Sequence, residues 1–244
     1  MKAYGITDKG AVRKENQDDF RFIFKDGEDA LCAVLCDGMG GALSGSIASA
    51  MATEAFMLHT GELFSSDMNP KEMKKILREG VNYANIKVYD RSFTDFGCMG
   101  MGCTLVGLLV NNGRCLVANV GDSRAYLISG GEIRQISRDH SLVEEMVAKG
   151  QLSREEASRH PQKNYITRAI GIEAAVKCDT FEFTPEKESK ILLCSDGLSN
   201  VLSDQEILAL SSFGDDIKQN ADEMMRLTLE RGAPDNVTVF IAQL

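Results

Sequence analysis

Two short apolar runs, residues 31–36 and 191–195, each lead into an Asp-Gly pair, at Asp37-Gly38 and Asp196-Gly197. Each run reads as a buried strand that delivers one carboxylate at its C-terminal end. The glycine behind has no side chain, so its backbone carbonyl can approach an ion closely. Hard oxygen donors carried to the end of a sheet by separate strands are the donor set of a magnesium- or manganese-type site. Asp26-Gly27 has no apolar run feeding it and reads as an ordinary turn. Further polar groups stand beside strand patterns: Arg13-x-x-Asn16-Gln17-Asp18, Gly121-Asp122-Ser123-Arg124 and Asp235-Asn236. Converging carboxylates repel, and gathering several is costly unless a cation neutralises them.

Composition removes other chemistries. The 244 residues carry a net charge of −9, from 27 basic and 36 acidic side chains, which argues against nucleic-acid binding. The seven cysteines include no C-x-x-C pair, and none has an arginine six residues later, so no cysteine-phosphatase loop is present. They read as reduced, buried small hydrophobes of a cytoplasmic protein. Three histidines, His59, His140 and His160, are too few and too scattered for a zinc-type cluster. The longest strongly apolar stretch, 103–110, is too short to span a bilayer, and residues 1–4 lead straight into polar sequence. No membrane segment, signal peptide or accessory domain is expected.

The positioning elements follow from periodicity. Residues 20–24 and 31–35 form a strand pair around a turn at 25–28. The glycine-rich stretch 38–41 opens a helix whose apolar face is Ile47, Met51, Ala55 and Leu58, and a second long helix carries Met73, Leu77, Val81, Ala84 and Val88. A meander follows at 104–110, 115–120, 125–128 and 133–136, with tight turns that make it antiparallel. Residues 139–168 are a charged, helix-forming excursion with a Ser153-x-x-Glu156 capping box. Strands at 181–183 and 191–194, helices near 204–210 and 215–231, and a last strand at 237–241 complete the chain. Two helical blocks separated by strand runs predict an α+β fold: two stacked antiparallel sheets with helices on both outer faces. The whole of 1–244 is expected to be one domain.

In order along the chain stand R-x-x-N-Q-D, D-G-M-G-G, G-x-x-x-G-C-T, G-D-S-R, D-H-S, S-D-G and D-N. This series resembles the type 2C metal-dependent protein serine/threonine phosphatases, most closely their compact bacterial members, from about Gly5 to Val239. The resemblance implies hydrolysis of phosphoserine and phosphothreonine with two Mn2+ or Mg2+ ions and a possible third. It implies that Asp37 bridges the two ions, with the Gly38 carbonyl completing one and Asp196 and Asp235 holding the other. Asp18 resembles the carboxylate that orients the reacting water, and Arg13 the guanidinium that grips the substrate phosphate. Asp122 resembles a support for a third, weaker metal, with a plain strand-bend aspartate as the alternative. Two close cations can hold a shared water as hydroxide and clamp the phosphoryl oxygens, so no covalent phosphoenzyme is required.

Met39 stands where many eukaryotic relatives have a histidine after Asp-Gly, so no histidine acid can act from that position. The proton donor is then a metal-acidified water, or His160 in the excursion, which matches the family's flap; the water is the expected one. His140 reads as structural. The resemblance also implies phosphorylated proteins and a cognate Ser/Thr kinase as partners, and a monomer. Two competing readings stand beside it: a phosphoprotein-binding regulator on the same fold, which would lack metal aspartates, and a hydrolase of small phosphomonoesters.

Overall fold

Alternating apolar residues bury one face of a strand, and a chain rich in such strands must stack its sheets to hide those faces. The computed structural model describes residues 1–25, 27, 30–40, 44–214 and 216–244, without the side chain of Ser158. It begins with β1 (Lys2–Asp8), β2 (Asp18–Lys25) and β3 (Ala30–Met39), then α1 (Ser44–Phe56) and α2 (Pro70–Thr94). Next come β4 (Gly102–Cys103), β5 (Leu105–Asn111), β6 (Arg114–Val120), β7 (Arg124–Ser129) and β8 (Glu132–Gln135). The excursion holds α3 (Leu142–Ala148) and α4 (Arg154–Ser158). The chain closes with β9 (Asp179–Phe183), β10 (Lys190–Cys194), α5 (Asp196–Ser199), α6 (Asp204–Ser211), α7 (Ile217–Glu230) and β11 (Val237–Gln243).

The strands form two antiparallel sheets, ordered β1-β11-β10-β7-β8 and β2-β3-β5-β6-β9, with β4 beside β3. Leu31, Leu35, Val106, Val117, Leu193 and Phe240 pack between them. Helices α1 and α2 cover the outer face of the second sheet through Ala48, Phe56, Leu77 and Val81. On the other side, α6 and α7 cover the first sheet through Ile207, Ala221 and Met224. The expected layering is therefore observed.

Several expectations need correction. The meander is not one sheet: β5 and β6 lie in one, β7 and β8 in the other. The link 121–123 carries the chain across, which leaves Asp122 at the sandwich's end. The α2 stripe is buried as expected, but the buried face of α1 is Ala48, Ser49, Ala52, Thr53, Ala55 and Phe56. Small residues let α1 lie close on the sheet, so Ile47 and Met51 sit at its margin and Leu58 is half exposed. Residues 38 and 39 continue β3 rather than opening a helix. Asp26, Glu28, Gly41 and Asp215, parts of the expected turn and helix starts, lie outside the described residues. Strand β1 was not expected, since its partner is the last strand of the chain. Among the described residues no helix is long and apolar enough to cross a membrane. All seven cysteines are buried and form no disulfide.

Candidate active site

Strand register brings the acidic residues together. Asp18 on β2 faces Asp37 on β3 directly, a pairing of like charges that is unfavourable by itself. Ser195 stands at the N-terminal boundary of α5 without capping it through its side chain, so Asp196 begins a short helix rather than ending a strand. Asp235 lies two residues before β11. Burial and mutual repulsion raise the pKa values of Asp18, Asp37, Asp122 and Asp196. Asp37 is pushed well above the carboxylate range by burial and then by Asp18, Asp196, Asp122 and Asp235. Burial likewise raises Asp18 to about 7 and Asp122 to about 8, with the Asp196 charge adding to both. Asp196 is raised too, by burial and then by Asp235.

The surroundings fix how each carboxylate points. Ser195 Oγ and Thr238 Oγ1 both donate to Asp18 Oδ2, each at 2.7 Å. Its Oδ1 is buried and receives no hydrogen bond, and Asp196 Oδ1 is in the same state. Asn200 Nδ2 donates to Asp196 Oδ2 at 2.9 Å. Orphaned buried carboxylate oxygens are costly unless a cation meets them. The donor set therefore fits divalent metal. Among the described residues no three His, Cys, Asp or Glu side chains are arranged to hold an ion by themselves. A side chain on Gly38 would collide with the backbone oxygens of Gly45 at 2.1 Å and Gln17 at 2.6 Å, so glycine is also required there by packing.

Arg13 lies at the rim. Its Nη2 donates to Asp235 Oδ2 at 2.7 Å, and Asp235, then Asp37 and Asp196, raise its pKa. The loop carrying it is stapled by Asn236, which accepts from Gln17 N–H and donates to the carbonyls of Lys9 and Glu15, all at 2.8 Å. This is the role of the asparagine in Asp235-Asn236, which sequence reasoning left unassigned. It also left Arg124 unassigned. Arg124 forks onto Asp139 at 2.7–3.1 Å and reaches Tyr126 Oη at 3.0 Å, pinning the root of the excursion. The available signal was an arginine, Arg124, opening an otherwise apolar strand.

A cleft of about 290 Å³ runs between the excursion and the carboxylates, lined by Asp122, Arg124, Asp139, Arg154, Lys163 and Asp196 among others. His160 is not among its lining residues; its Nδ1 accepts from Gln162 N–H at 3.2 Å within its own turn. His140 is structural. It is 4% exposed, its Nδ1 accepts from Gly121 N–H at 3.1 Å, and so its Nε2–H points to Asp179 at 3.2 Å. Burial lowers its pKa, which keeps the ring neutral.

The sequence profile of the protein phosphatase 2C family matches residues 10–237. The chain belongs to that family. As a protein phosphatase 2C member it is a metal-dependent phosphatase of bacterial type. It is 32% identical over 243 residues to the serine/threonine phosphatase stp of Listeria welshimeri, covering 100% of this chain and 96% of the relative. The crystal structure of serine/threonine phosphatase Stp1 from Staphylococcus aureus superposes with a TM-score of 0.90 at 35% identity, over 99% of this chain and 94% of that one. The catalytic domain of PstP, solved with two manganese ions, superposes with a TM-score of 0.85 at 30% identity, over 99% and 97%.

Proposed function

We propose that this chain hydrolyses phosphoserine and phosphothreonine in proteins, opposing a Ser/Thr protein kinase in the cytoplasm as a monomer. The observation that carries this reading is the pair of buried carboxylate oxygens without donors, on Asp18 and Asp196, beside a guanidinium at the rim. Asp37, Asp196, Asp235 and the Gly38 carbonyl would hold two Mn2+ or Mg2+ ions, with Asp122 supporting a third. When bound, such cations lower the pKa of water and screen the phosphoryl oxygens. Asp18, held through Oδ2 by Ser195 and Thr238, would orient the attacking water. Asp235 keeps free lone pairs while paired to Arg13, so the guanidinium can turn its other edge to a phosphate. The chain would act as one catalytic domain over 1–244, with the excursion 139–168 bordering substrate.

The deciding measurement compares phosphopeptide with sugar phosphate turnover in Mn2+. We expect kcat/KM to favour phosphothreonine peptides; a preference for the sugar phosphate would replace this reading with a small-molecule phosphomonoesterase.

Arg13→Ala should raise KM ten- to a hundredfold with little change in kcat, the loss of about 1.5–3 kcal/mol from one charged hydrogen-bonded contact. Steady-state kinetics on a phosphopeptide check this, and unchanged KM and kcat would make Arg13 a surface residue.

His160→Gln should lower kcat on phosphopeptides less than tenfold and leave an aryl phosphate untouched, since the ring is engaged in its own turn. A basic serine or threonine alkoxide needs protonation worth roughly 10²–10⁴-fold, whereas an aryl leaving group needs little. A hundredfold loss confined to the peptide would make His160 the general acid.

A further inference from the structure

A second depression reaches the site through Met39 and is bordered by the end of the excursion, residues 166–168. It encloses about 450 Å³ and is lined by Met39, Ile166, Ile172 and Val176, with Arg168, Glu173 and Lys177 among its polar residues. Met39 ties it to the reaction centre. Residues 37 and 39 share one face of β3, so Met39 stands one pleat, about 7 Å, beyond Asp37. Gly102 pairs with Met39, and a side chain there would meet Ile170 O at 2.8 Å, Ile172 Cδ1 at 2.9 Å and Met39 Cε at 3.0 Å. Without it, the Met39 and Ile172 side chains close together into an apolar floor. Ile172 remains 47% exposed there, so the floor is open to an apolar group from outside.

The charges argue against an anion as occupant. Arg168 is already committed to Asp179 at 3.2 Å. Glu173 and Lys177 are of opposite sign.

We infer that this groove is a substrate subsite, receiving an apolar side chain one to three residues from the phosphorylated residue of a protein substrate. The inference rests on the protein-phosphatase reading above. Its geometry is that of an extended peptide, whose alternate side chains repeat at about the spacing that separates Asp37 from Met39. Met39 and Ile172 are the residues that would set this preference. Met, with its flexible thioether, adapts to several apolar partners.

The test is a leucine scan. A phosphothreonine peptide of otherwise Gly and Ser is given Leu at each position from −3 to +3 and assayed with the Mn2+-loaded full chain. We expect kcat/KM to rise roughly tenfold at one or two positions, the size of effect an apolar pocket confers. In Ile172→Glu, and in the milder Ile172→Ser, that gain should fall to twofold or less. Turnover of p-nitrophenyl phosphate, too small to reach the groove, should stay within twofold in both and report that the fold is intact. Peptide turnover with a flat leucine scan, or a leucine preference undiminished in both variants, overturns the subsite alone. Aryl phosphate turnover without turnover of any peptide would overturn the protein-phosphatase reading and the subsite with it.

Discussion

Asp37→Asn should lose on the order of 10³-fold or more in kcat, because ligands acting as a unit with bound metal fail together. The same change should not unfold the protein. In the metal-free chain Asp37 stands half-buried among Asp18, Asp196, Asp122 and Asp235, and its charge is opposed by all of them. Asparagine removes that repulsion while keeping the shape, and the Asp37 N–H still donates to Thr104 Oγ1 at 2.9 Å. In EDTA the variant should therefore melt at or above the temperature of the unmodified chain. With excess Mn2+ the order should reverse, since only the unmodified chain gains stability from the ion. Adding Asp196→Asn should cost little further activity. Wild-type turnover in Asp37→Asn, or a crystal of it with both metals fully occupied, would remove Asp37 from its bridging role.

Removing divalent metal should abolish turnover and invert the pH dependence of stability. Asp18 and Asp122 have folded-state pKa values raised to about 7 and about 8 from 3.8. A raised carboxylate binds more protons folded than unfolded, so stability is fully present below the unfolded value and falls as pH climbs from about 4 to about 8. In EDTA the contribution of these two groups should make the chain less stable at pH 8 than at pH 5, and Asp18→Asn should flatten the difference. Mn2+ at pH 8 should restore what is lost, because the ion replaces the proton as the neutralising charge. Differential scanning calorimetry across that range checks the sign; an EDTA-treated chain whose metal content is verified as nil and which still turns over phosphopeptide would sink the metal mechanism. Iodoacetamide should leave activity unchanged, as all seven thiols are buried and burial pushes Cys32 and Cys194 up to about 12.

Local signals carried most of the elements. The α2 stripe of Met73, Leu77, Val81, Ala84 and Val88 is buried as its spacing predicts, and the Ser153–Glu156 capping box is formed. Both depend on contacts three or four residues apart, which a chain displays in its own order. The series of polar motifs likewise identified the acidic residues, because their types and flanking strands are written locally.

The misreadings share one cause. The α1 face was misjudged because Ile47 and Met51 are more hydrophobic than Ala48 and Ala52, yet only the small residues allow close packing on the sheet. Strand β1 gains its ladder from β11 at the far end of the chain, and the crossing at 121–123 between sheets is invisible in the turn lengths. By itself the sequence determined the layered class and singled out the carboxylates that the structure brings close to one another. The tertiary structure decided which oxygen of each carboxylate is bare, through Ser195 and Thr238 on Asp18 and Asn200 on Asp196. It also decided that Asn236 anchors the Arg13 loop and that His160 turns inward on its own backbone. The Asp18 and Asn236 outcomes rest on hydrogen bonds between residues as many as 227 positions apart, and orientation of that kind exists only once the two sheets have closed on each other.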